Sequence, residues 1–142
     1  IRAAKITQKP LIIHSREARE ATLEIMREEG ADQVGGIMHC FVEDLETARA
    51  AIEMGFYISF SGIVTFNSAK ELQAVAKAIP DEWFMIETDS PSLAPVPFRG
   101  KPNQPLYVKH VAEKLAELRG ESVESIAEKS WNNFNRLFRL EG

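Results

Sequence analysis

The sequence predicts an α/β fold of parallel strands, each followed by a helix. Three observations carry that prediction: four short apolar runs, an amphipathic helical pattern after each of the first three, and glycine or proline at the junctions. Leu11-Ile12-Ile13-His14-Ser15, introduced by Pro10, is the first predicted strand. The helix after it covers about Arg16 to Glu29, with Ala18, Thr22, Ile25 and Met26 on one face and Gly30 at its C-terminal stop. Gly36 to Phe41 is the second strand, and about Asp44 to Met54 its helix, with Leu45, Ala48 and Ile52 inward and Gly55 as stop. Phe56 to Gly62 is the third strand. Its helix runs from about Ser68 to Ala78, capped by Asn67 or Ser68 and broken by Pro80. Trp83 to Thr88 is the fourth strand, and a proline-rich loop from Asp89 to Pro105 follows it. Two helices close the chain, at about Leu106 to Leu118 and Val123 to Leu137. Strand–helix alternation of this kind implies right-handed crossovers, in either an open sheet or a barrel.

Length and composition set bounds. With 142 residues, 44% apolar and 27% charged, residues 1–142 are expected to form one domain with a real core. No apolar run approaches the roughly 18 residues of a membrane span, and the first residues lack a signal-peptide pattern. The one cysteine, Cys40, suits a reducing cytoplasm, the expected location. A net charge of −4 gives no general basic field, so a nucleic-acid substrate has to be met by local cations.

The strand ends choose between sheet and barrel. Buried parallel strands are normally apolar throughout, yet His14 ends the first, His39 nearly ends the second and Asp89 follows the fourth. Side-chain alternation puts Ile12 with His14, Ile37 with His39, and Glu87 with Asp89. In a barrel these faces point inward, and the C-terminal ends share the mouth where such folds carry their sites. Each residue alone has a plain structural explanation, a hydrogen-bonded core histidine or a turn-capping aspartate. Together they form part of a ligand set for Zn²⁺, Mn²⁺ or a similar ion. Arg99-Gly100-Lys101 places two cations on the stiff proline loop, where they are phosphate-binding candidates. Glu87 points inward a layer below Asp89 and is expected to be a supporting residue, accepting a hydrogen bond from Ser59, Ser61, Arg16 or another neighbour. His110, within a helical pattern, is expected to pack or be solvated.

Several segments resemble the TatD family of metal-dependent deoxyribonucleases. They are Lys9-Pro10-Leu11-Ile12-Ile13-His14-Ser15-Arg16, His39-Cys40-Phe41, Ile58-Ser59-Phe60-Ser61-Gly62, Glu87-Thr88-Asp89-Ser90-Pro91, Leu93-Ala94-Pro95 and Arg99-Gly100-Lys101, with Asn133-Phe134 and Arg136-Leu137-Phe138 near the end. The resemblance implies a (β/α)8 TIM-type barrel of the amidohydrolase kind, of which this chain supplies about the last four βα units plus a C-terminal helix. It implies hydrolysis of phosphodiester bonds in DNA with one or two divalent ions (Zn, Mg or Mn). The family's two later histidines and its aspartate map onto His14, His39 and Asp89. Its N-terminal H-x-H pair and middle-strand glutamate have no counterpart, so the expected partners are the DNA substrate and the missing N-terminal half of the barrel. The chain alone is expected to be inactive. Asp89 is expected to be ligand and acceptor of the water's proton; Arg99, Lys101, Ser90 and Arg16 are candidate substrate contacts. Ser92 and Phe98 depart from the family pattern, in which an aromatic and a histidine are common there. The alternatives are the same metal barrel acting on another ester or amide, or a half-barrel acting only through association.

Overall fold

The computed structural model describes residues 1–140. A short helix α1 (Arg2–Thr7) precedes β1 (Leu11–His14), α2 (Arg19–Glu28), β2 (Gly36–His39), α3 (Leu45–Glu53), β3 (Phe56–Phe60), α4 (Lys70–Ala78), β4 (Phe84–Ile86), α5 (Val108–Arg119) and α6 (Val123–Phe138). The four strands form one parallel sheet in the order β1-β2-β3-β4, the order of the chain itself. Leu11 pairs with Gly36, Gly36 with Phe56, and Ile58 with Phe84.

The two faces of the sheet differ. Met38, Phe56, Ile58, Phe60 and Phe84 turn toward the helices and join Leu72, Val75, Val111, Leu115 and Ile126 in the main core. The opposite face carries Ile37, Tyr57 and Met85, flanked by Trp83, Leu137 and Phe138. On that face Ile12 is 66% exposed. Five consecutive buried residues in β3 are what a strand covered on both sides demands.

Several boundaries shift from the sequence reading. Residues 15–18 form a loop rather than the first turn of α2, and Glu17 takes a positive φ of 53° there. In α2 the buried positions are Leu23 and Met26, whereas Ile25 is 53% exposed; the helix is rotated from the predicted face. The cap of α4 is Ala69, without a side-chain bond, not Asn67 or Ser68. Residues Pro105–Tyr107 form a 3-10 turn, so α5 begins at Val108 and Leu106 is exposed. Trp131 and Phe134, apolar residues of α6, are 61% and 38% exposed, beside the sheet face that carries Ile37 and Met85. His110 pairs with Glu113 at 3.1 Å, in keeping with a packing role.

Asp44 illustrates how local chemistry fixes an element. Its carboxylate accepts from the Thr47 backbone N–H at 2.8 Å, closing the first turn of α3. That hydrogen bond holds its carboxyl below the usual carboxylate range, with Arg19 contributing through a 2.8 Å ion pair. The exposed ion pair adds little, so the cap dominates. Asp44→Ala is expected to cost about 1 kcal/mol at neutral pH. A group whose folded pKa lies below its unfolded value of about 3.9 stabilises above that value and loses the contribution as pH falls through the folded pKa. Urea melts at pH 7 and pH 2 check this: the wild-type advantage should be present at the first and gone at the second.

Candidate metal centre

His14 and His39 are cross-strand partners at the C-terminal ends of β1 and β2, with ring centroids 5.8 Å apart. On β4 the ladder continues past the strand, since the Glu87 N–H donates to the Phe60 carbonyl at 3.0 Å. This aims the Glu87 side chain at the same face as Met85. Asp89 then leaves the extended path with φ 58° and returns its carboxylate over the strand ends.

His39 stands between the two acids. Its Nε2 lies 3.3 Å from Asp89 Oδ1, and its Nδ1 lies 2.8 Å from Glu87 Oε1. One ligand atom from each of His39, Glu87 and Asp89 falls within a 4.8 Å cluster. The Glu87 contact has ion-pair distance without hydrogen-bond geometry, and Oε1 is buried with no hydrogen-bond partner among the described residues. A buried, unpartnered carboxylate oxygen beside an imidazole and a second carboxylate fits a divalent cation, which would offset the stacked negative charge. The expectation that Ser59, Ser61 or Arg16 would bond Glu87 is corrected: Ser61 Oγ is 3.3 Å from Cys40 Sγ, and the neighbour of Glu87 is His39. Ser59 pairs with Met85, a layer below Glu87, and Ser61, which follows Phe60 to the level of Glu87, has its hydroxyl engaged by Cys40.

Beside the cluster is a cleft of about 380 Å³ lined by His14, Arg16, Asp89, Ser92 and the apolar Cys40, Val42, Ile63 and Leu93. Burial pushes the Cys40 thiol up, its bond to Ser61 opposes this, and Glu87 and Asp89 raise it further. It is therefore a neutral thiol and a poor ligand in the metal-free state. Non-glycine residues with positive φ gather at this end of the sheet. Gln8 and Arg139 are helix C-caps, whereas Glu17, Cys40, Asp89 and Leu93 all lie in or beside the segments that form the cleft.

The other predicted residues are placed around this centre. Arg16 is exposed and lines the cleft. Arg99 lies with its guanidinium 3.9 Å over the Phe66 ring, and Lys101 is exposed. The Ser90 hydroxyl donates to Thr88 Oγ1 at 2.9 Å. Phe98 stacks on Tyr107 with centroids 4.2 Å apart, so the unusual aromatic there packs within the loop. Sequence reasoning missed Asn103, which is 6% exposed inside the loop; an asparagine after Pro102 looks like a surface turn, and no local signal marks its burial.

Residues 1–139 match the family model described as TatD related DNase. The chain belongs to the TatD family. It is similar to the uncharacterized metal-dependent hydrolase YcfH of Escherichia coli K12, 50% identical over 141 residues, covering 99% of this chain and 53% of that protein. It is also similar to the uncharacterized metal-dependent hydrolase YabD of Bacillus subtilis, 51% identical over 140 residues and 55% of its length. Among solved structures, the TatD homolog YjjV from Escherichia coli superposes with a TM-score of 0.91 at 28% identity, covering 99% of this chain and 54% of that one. A TatD family hydrolase from Entamoeba histolytica shares the fold, with a TM-score of 0.83 at 20% identity over 96% of this chain and 55% of that one. The chain thus spans about half the length of these relatives, and its four βα units form part of a TIM-type barrel. No helix among the described residues is long and apolar enough to cross a membrane.

Proposed function

We propose that these residues form the C-terminal part of a divalent-metal site that hydrolyses phosphodiester bonds in DNA. The observation that carries the reading is His39, whose two ring nitrogens face two different carboxylates. The Asp89 side is open to the cleft and suits metal ligation with His14 nearby; the Glu87 side suits fixing the ring's direction. His14, His39 and Asp89 would hold a divalent cation, which would supply Lewis acidity toward a phosphoryl oxygen and acidify water.

The chain's own groups do the remaining work. Asp89 is the base that takes the attacking water's proton, since it lies at the cleft and its second oxygen is available beyond the His39 contact. Glu87, 2.8 Å from Nδ1, holds the His39 ring with Nε2 turned toward Asp89. Arg16, the cation lining the cleft, meets the substrate phosphate. Arg99, already steadied on Phe66, and Lys101 serve the flanking phosphates from the loop rim, with Ser90 beside Asp89 as a further polar contact. A chain of net charge −4 needs these local cations and the metal to hold a polyanion.

The test is a cleavage assay on a short single-stranded DNA with Mg²⁺ or Mn²⁺, run on a protein carrying all eight βα units and on this chain alone. The complete protein should cut and be stopped by chelator; this chain alone should not cut. A complete protein that cleaves no DNA but hydrolyses a simple ester or amide would overturn the substrate assignment and leave the metal site standing.

A further inference from the structure

We infer that Asn103 is the positioning residue for Asp89, acting by holding the proline loop closed around it. This rests on the reading of Asp89 as a metal ligand. Asp89 lies beyond the end of β4, so no strand ladder fixes it. Its conformation depends on the loop that begins there, and Asn103 ties that loop together from within.

The side-chain amide of Asn103 and its backbone N–H are all engaged. Its Nδ2 donates to the Thr88 carbonyl and to the Ser92 carbonyl, both at 2.7 Å. Its Oδ1 accepts from the Gln104 N–H at 2.9 Å, and its own N–H donates to the Pro91 carbonyl at 2.9 Å. Thr88 and Ser92 flank Asp89 on either side, and the Ser92 N–H donates to the Asp89 carbonyl at 3.0 Å. One side-chain amide therefore clamps both ends of the turn that gives Asp89 its left-handed backbone. The far side of the loop is held separately. The Val96 N–H donates to Thr65 Oγ1 at 2.9 Å, and Gly62 leaves no room for a Cβ beside the Leu93 carbonyl.

The chemistry demands an amide at this place. Two carbonyls need two donors from one nitrogen, while a neighbouring N–H needs an acceptor. Aspartate keeps the size and the acceptor but has no donor when ionised, and alanine has neither. A ligand held by a clamp of this kind is set before the metal arrives, which is the condition for tight binding.

The test uses the full-length protein as wild type, Asn103→Asp and Asn103→Ala, with two readouts. Hydrogen exchange in the metal-free protein should show the Ser92 amide exchanging at least about tenfold faster in both variants, with the amides of α3 and α4 unchanged. Titration with Co²⁺ alone, followed by visible absorption, should show a dissociation constant raised about 10- to 100-fold. Asn103→Ala decides the matter if the buried carboxylate of Asn103→Asp prevents folding. Unchanged Ser92 exchange would overturn the clamp, and faster exchange with wild-type Co²⁺ affinity would overturn its effect on Asp89. Asp89→Asn serves as the separate control. Wild-type Co²⁺ affinity in that variant would sink the metal-site reading itself, while the exchange arm still decides the clamp.

Discussion

Asp89→Asn is expected to lower hydrolysis by about 10²- to 10⁴-fold and to weaken metal binding in the same protein. Asparagine keeps the shape of the side chain and one oxygen, so the loop and its clamp should survive. It removes the negative charge and replaces the proton acceptor with an N–H₂ donor. Both proposed roles, ligand and base, fail together, and a positioned base alone contributes about 10²–10⁴. Glu87→Gln should do less. Its contact is to the far nitrogen of His39, and loss of such an orienting partner typically costs about 10- to 100-fold in affinity or activity. Single-turnover rates on DNA and Co²⁺ titrations of both variants check the order. A larger loss for Glu87→Gln would mean that Glu87 ligates directly and that His39 turns its Nδ1 toward the ion.

The placement of these residues was legible to different degrees, and the reason is their place in the chain. His14 and His39 could be found because a parallel strand is expected to be apolar, and a histidine at its end breaks that rule. Asp89 followed from the same rule on the fourth strand. Parallel pairing was legible because helical periodicity returned after each of the first three runs. What stayed hidden depends on contacts between distant positions. The pairing of Glu87 with His39 comes from the register of β3 with β4 and of β2 with β3, which no local pattern encodes. The turn of Arg99 onto Phe66 joins the proline loop to the segment after β3. The exposure of Ile12, Trp131 and Phe134 has the same origin, because an apolar residue signals that it should be covered, not which part of the molecule covers it.

That last point gives the other large effect, which is on stability. Phe60→Ala is expected to destabilise the fold by about 3–5 kcal/mol. The ring is fully buried among the aromatics and aliphatics of the main core, on a strand with no exposed residue. Deleting it removes the transfer energy of the aromatic and leaves a cavity that Phe56 and Phe84, equally buried, have little room to fill. Against a total stability of about 5–15 kcal/mol, the loss should lower the melting temperature by roughly 10–17 °C. It should also loosen the site, since the Phe60 carbonyl receives the Glu87 N–H. Ile12→Ala is the informative contrast. At 66% exposure its side chain should contribute within about 0.5 kcal/mol in this chain. In a protein with all eight βα units, the same substitution should cost about 2–5 kcal/mol, as a buried isoleucine does. Thermal melts of both variants in both lengths give four numbers. If Ile12→Ala costs no more in the complete protein than in this chain, the face bearing His14 and His39 is not the interior of a closed barrel.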